Sequence, residues 1–381
     1  MLLLAGSRPA KACGYIDDSY HYFNLFVPEW IFDQAYSPTF YTSDTYHHIW
    51  DRQDYSQANL QRWQQLLGQK TDDQLLEKVL YGRYAPNYSS QSREELIRNV
   101  LFQNSRLPIA EQQAYQQYLL LSLQLENLAD RPSDPWQRAG QNNMPATGQQ
   151  ALIDQLLQQY ERTRIPELKN RYAFQILKAY RYSGQQEQAI QWYERELASA
   201  ENKGMIDYWA MDHYAGLLLK QEGQQPEGFY HFLKVFQNCP SRRHSAYYSL
   251  DIATQEHWEA TLELCENKEE KALLHFIRGS KSEVLALEDM QAIFGLLGNH
   301  PWLQILTARE LNKLESRNFE YFTERPIENL LTTLDQDGSL LKNKEYRDYA
   351  GRLLRFVSTA HINNREDGFW GVAKGYLEFM S

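Results

Sequence analysis

A chain of 381 residues, 43% of them hydrophobic, has ample apolar surface for one large domain or two to three ordinary ones. Its 39 Lys and Arg stand against 49 Asp and Glu, a formal net charge of −10 that argues against nucleic acid as a partner. Only 13 Pro and 19 Gly argue against many short strands, and no stretch approaches the roughly 18 apolar residues that span a bilayer.

The chain begins with Leu2-Leu3-Leu4-Ala5, which reads as the tail of a hydrophobic signal core, followed by the small-x-small triplet Ala10-Lys11-Ala12. Residues 1–12 are accordingly expected to be the remnant of a signal peptide and the protein to be periplasmic or extracellular. An ordinary cytoplasmic N-terminus is the alternative, because no basic residue precedes the leucines. Cys13 would then be the first mature residue, open to lipid anchoring, although Lys11 suits such a site poorly. Residues 13–56 are aromatic throughout and are interrupted by Pro28 and Pro38, so they are expected to form an irregular arm whose rings lie on other parts of the fold.

Residues 57–129 read as an N-terminal helical region. Leu60, Trp63, Leu66 and Leu67 share one helical face, with glutamines on the other. Asp72 is placed to cap a second helix bearing Leu75, Leu76, Val79 and Leu80, and Ser92 with Glu95 has the form of a capping box. The run from Ile109 to Ala129 predicts a long, mostly buried helix. At Asp130 periodicity stops, and residues 130–149 read as a loop or linker. Helices are expected through the whole of 150–381.

Between Arg171 and Pro240 one pattern is written twice. Gly184 and Gly223 are placed to turn the chain between two helices. Ala189 and Gly228 are small residues five positions later, and Tyr193 and Phe232 are aromatics four beyond those. Glycine suits the turn, a small residue lets antiparallel helices approach closely, and the aromatic fills the remaining gap. Weaker copies follow, with turns expected at Gln255 and Gly279. The turn spacings are 223 − 184 = 39, 255 − 223 = 32 and 279 − 255 = 24, so the units are irregular. Pro301 then opens another helix, and a last antiparallel pair ends the chain. Trp370, Val372, Ala373, Tyr376, Leu377 and Phe379 make its final helix apolar on more than one face, which predicts cover from further chain, a partner or a second copy.

These residues resemble the tetratricopeptide repeat, over two units well and two more poorly; Ala173 and Asp212 stand where such repeats usually carry tryptophan. More loosely, ACGY, YFNLFVPE and ARELNKLE resemble uncharacterised exported bacterial proteins with such repeats. The resemblance implies an all-α fold, an irregular tetratricopeptide-like α-solenoid of helix pairs, and an inner face lined by the first helix of each pair. Carried onto this sequence, that face holds Arg171, Phe174, Lys178 and Arg181 in one unit, and Ala210, His213, Leu217 and Lys220 in the next. Arg171, Lys178 and Arg181 are spaced by seven and three, one helical face, and form a basic stripe suited to an acidic peptide or a C-terminal carboxylate.

No phosphate-binding glycine loop, nucleophile elbow or metal helix is present. Neither His47-His48 nor the Asp335-Gln336-Asp337-Gly338 turn has metal-ligand spacing. The chain is therefore expected to have no cofactor and no catalytic residue, and to act as an exported scaffold that binds a protein or peptide. A glycan-binding role for the aromatic arm and a place in a larger envelope assembly are the alternatives. Cys239 and Cys265 allow either a disulfide bridge or two buried free thiols.

Overall fold

The computed structural model describes residues 53–67, 72–82, 90–103, 105–128, 144–281, 284–318, 344–363 and 368–380. These form sixteen helices and no strand, so the described protein is all-α. The N-terminal arm and the 130–149 segment fall largely outside the described residues. The chain divides into two compact units, Asp51–Leu274 and a second whose described part begins at His275.

The first unit opens with α1 (Gln53–Leu67), α2 (Asp73–Tyr81), α3 (Ser90–Asn99) and α4 (Ile109–Leu128). Asp72 caps α2 as its sequence predicts, accepting from the Gln74 amide at 3.0 Å. Ser92, read as the cap of α3, instead lies inside that helix, which begins at Ser90. There follow α5 (Ala146–Arg162), α6 (Pro166–Tyr182), α7 (Gln186–Glu196), α8 (Met205–Leu218), α9 (Gln225–Asn238), α10 (Pro240–Ser249) and α11 (Gln255–Leu264). Gln255, expected at a turn, is the first residue of α11 because Thr254 caps it, accepting from the His257 amide at 3.2 Å. Helix α12 (Lys268–Gly279) carries the chain from the first unit into the second.

From α4 to α10 each helix packs on the next. Alternate helices α4, α6, α8 and α10 also touch one another in turn, and α9 touches α11. The two glycines read as turns hold the left-handed backbone, Gly184 at φ 82° and Gly223 at φ 78°. The small-residue seam is equally tight. A Cβ on Gly228 would stand 2.9 Å from the Leu219 side chain and 3.0 Å from the Ala215 carbonyl oxygen, so α9 approaches α8 to a distance only glycine permits. Ala189 is fully buried at the matching place in α7. Beside it, the indole of Trp192 donates to the Ala173 carbonyl at 3.0 Å, and Tyr193 stacks on Tyr214 at 4.1 Å, tying α7 to α6 and α8.

Helix α1 does not extend this succession. It packs on α2 and, across nearly two hundred residues of chain, on α10. Trp63 and Leu67 are buried on its apolar face as the periodicity requires.

The second unit contains α13 (Leu287–Leu297), α14 (Trp302–Asn318), α15 (Lys344–Asn363) and α16 (Gly368–Met380). Its core includes an ionic cluster. Lys313 donates to Glu310 at 2.6 Å and Tyr349 donates to the other Glu310 oxygen, all three side chains being buried. In α16 Trp370, Ala373, Leu377 and Met380 are buried, while Val372 and Phe379 are exposed.

Candidate functional site

The row α6, α8, α10 brings together side chains from three sequence-distant helices. Pro166 at the first turn of α6 sets its direction, and the period of the helix puts Glu167, Arg171, Phe174, Lys178 and Arg181 along one side. The two ends of that side have different fates.

At the Arg171 end the row is covered by the chain's own α1. Arg171 is 2% exposed. Its Nε donates to Glu167 at 2.9 Å, one Nη donates to Asn59 at 3.2 Å, and its guanidinium lies 5.0 Å from the Trp63 ring. Trp63 in turn meets Tyr115 and Tyr118 of α4, at 5.7 and 6.2 Å between ring centres. Arg62 completes the junction with a 2.8 Å bond to Glu167. Burial works to raise the Glu167 carboxyl, but the hydrogen bond from Arg62 and the charges of Arg171 and Arg62 outweigh it and hold the group below its ordinary range. Arg171, a binding residue by resemblance, is here the anchor of α1 and is not open to a partner.

At the Arg181 end, among the described residues, the contacts are with α8 and α10. Phe174 is buried against the rings of His213 at 5.5 Å and Trp209 at 6.0 Å, with the Lys178 ammonium 5.5 Å from its ring centre. Arg181 donates to His213 Nδ1 at 2.7 Å. Burial, then the charges of Arg181, Arg242 and Lys178, hold the His213 pKa well below its ordinary value, so the ring is neutral and Nδ1 can accept. Gly216 gives the guanidinium room, since a Cβ there would stand 3.3 Å from Arg181 Nη2. The guanidinium also lies 5.9 Å from the Tyr182 ring.

Asp212 is the single carboxylate in this cluster. Its Oδ2 accepts from Ser245 at 3.3 Å and lies 3.8 Å from Arg242, while its Oδ1 is buried with no hydrogen-bond partner. Burial raises its pKa against the opposing charge of Arg242, the Ser245 bond and the charge of Arg181. The Arg242 guanidinium rests 5.0 Å from the Trp209 ring, whose indole donates to Ser241 at 2.9 Å.

Of the residues nominated from sequence, Phe174, Lys178, Arg181 and His213 come together here. Lys220 lies past the C-cap of α8, exposed and bonded to none of them. Trp209, Ser241, Arg242 and Ser245 were not nominated, and Asp212 drew notice only for standing in a tryptophan's place. The repeat spacing itself points to two of these. Arg171 and Phe174 carried forward by 39 and then 32 residues reach Arg242 and Ser245.

The disulfide alternative is corrected. Cys239 and Cys265 are buried free thiols, both with pKa raised by burial, that of Cys265 to about 12. Among the described residues no group of three or more His, Cys, Asp or Glu could hold a metal ion, and no helix is long and apolar enough to cross a membrane. No family model matches the chain, and neither a curated protein nor a solved structure shows significant similarity to it.

Proposed function

We propose that the chain is an irregular tetratricopeptide-like α-solenoid that binds another polypeptide, without catalysis, on the open part of its inner row. The solenoid reading is supported by the order of contacts, in which α4, α6, α8 and α10 touch in turn and each helix between them packs on both its neighbours. One observation carries the binding reading. Arg181 donates to His213, Lys178 lies over the adjoining Phe174 ring, and Arg242 faces Asp212, the single carboxylate of the cluster among the described residues, in a chain whose net charge is −10. A cationic cluster among aromatic rings suits an acidic group on a partner. Export, and with it a periplasmic or extracellular setting, is part of the proposal and rests on Leu2 to Ala12.

The test is a comparison of captured polypeptides between the wild-type chain and a Lys178→Glu, Arg181→Glu, Arg242→Glu variant, quantified by mass spectrometry. The expected result is loss of a defined set of partners from the variant. The same set retained on both proteins would remove the inner row from consideration.

A further inference from the structure

Helix α16 carries an apolar stripe that stays exposed. Its Trp370, Ala373, Leu377 and Met380 are buried, and a second row runs beside them through Val372, Gly375, Tyr376 and Phe379. Those four follow one another at intervals of three, one and three, which place them along one side of the helix. Val372 is 39% and Phe379 66% exposed, two of the five large hydrophobic side chains exposed among the described residues. The Phe379 ring lies nearly parallel to that of Tyr376, 6.4 Å away at 19°, so the two rings form one slab. At the middle of the row a Cβ on Gly375 would meet nothing within 4 Å, which leaves the backbone itself open to close approach.

We infer that this stripe is the contact face of a homodimer, in which two copies of α16 cross antiparallel with their Gly375 residues together and Val372 of each copy against Phe379 of the other. The occupant follows from the symmetry of the stripe. Read in either direction it runs large, small, large, so a two-fold axis beside Gly375 sets Val372 level with Phe379 of the second copy. Glycine at the crossing lets the helices close until the larger residues on either side of it touch. Charge agrees with this pairing. A chain of net charge −10 repels its own copy, and the stripe itself carries no charged residue. Its charged neighbours on α16, Lys374 and Glu378, are of opposite sign and joined at 3.0 Å on one flank. The two-fold keeps that flank on one side of the pair, where Lys374 of each copy comes within about one residue's rise of the level of Glu378 in the other. A partner of different sequence would require no such match between the stripe and its own reverse.

Sedimentation equilibrium of the full chain, from about 1 to about 100 µM, reads the association. The wild-type chain is expected to pass from monomer to dimer with a Kd on the order of 10 µM, as suits an interface at the small end of the range. Phe379→Glu changes an exposed side chain and so spares the fold, and it is expected to weaken the dimer about tenfold or more. The register is read by oxidising an equimolar mixture of Val372→Cys and Phe379→Cys chains. A disulfide-linked heterodimer is expected from the mixture and from neither variant alone, because like positions lie about 10 Å apart along the pair. A chain that stays monomeric at about 100 µM assigns the stripe to a different partner and overturns the homodimer. So does a dimer that Phe379→Glu leaves unchanged, or cross-linking of either variant alone as strong as that of the mixture.

Discussion

Arg171 and Arg181 lie on one side of one helix, and they do different work. Arg171 is buried inside the molecule, beside the Trp63 ring, with Nε on Glu167, one Nη on Asn59 and the other Nη unpaired among the described residues. Among the described residues Arg181 makes one hydrogen bond, to His213. A basic stripe read from spacing alone treats the two as equals. What separates them, among the described residues, is that α1 bonds Arg171 through Asn59 and lays Trp63 beside it, whereas Arg181 meets His213 and Tyr182.

The largest expected effect is at the covered end. Trp63→Ala removes the ring on which Arg171 rests and opens a void against Tyr115 and Tyr118, so it should lower stability by about 3–5 kcal/mol in denaturant unfolding. Trp209→Ala at the open end should cost less, since Trp209 is half-buried. A smaller loss is expected where α8 and α9 meet. Gly228→Ala forces a methyl against the Ala215 carbonyl, which should cost about 1–3 kcal/mol, measured the same way. Gly184→Ala meets open space and is opposed only by its left-handed backbone, so about 1 kcal/mol is expected.

The buried histidines should also make the fold sensitive to acid. Burial, then nearby lysines or arginines, lowers the pKa of His213 well below its ordinary value of 6.5 and that of His231 to about 4. The folded chain therefore binds fewer protons than the unfolded chain as pH falls below 6.5. Stability that is present above that pH should decline toward pH 4, with the raised Asp212 carboxyl opposing part of the loss. His213→Asn should flatten the decline in thermal melts across that range. The smallest effect is expected at Lys220, where Lys220→Ala should change stability by no more than about 0.5 kcal/mol and leave peptide binding unaltered.

The parts of this fold that were legible in the sequence are those set by local rules. Gly184 and Gly223 need a left-handed backbone, Ala189 and Gly228 need closeness, and Asp72 needs a helix start, so each announces its surroundings within a few residues. Ser92 misled because a capping box is only a spacing of four residues, and the helix gained another turn before it. The covered state of Arg171 had no local sign. Its bond to Asn59 spans 112 residues, and nothing in either segment records that the other exists. The site was half legible for the same reason. Residues on α6 and α8 followed from the resemblance, while Arg242 and Ser245 required the irregular spacing to be carried one unit further, into a helix whose repeat signature is worn away. The Asp212 oxygen without a donor is a property of three helices together and of no one of them.

The central claim, that this helix row has one end taken by the chain itself and one end left for a partner, can be tested by arginine labelling. The intact chain would be treated with a dicarbonyl reagent and labelling followed by mass spectrometry at each arginine, with and without a pool of acidic peptides. Arg181 and Arg242 should label in the free protein and become protected by the peptides, while Arg171 should resist labelling in both states. Labelling of Arg171 at the rate of Arg242, or peptide protection at Arg171 and not at Arg181, would contradict the account.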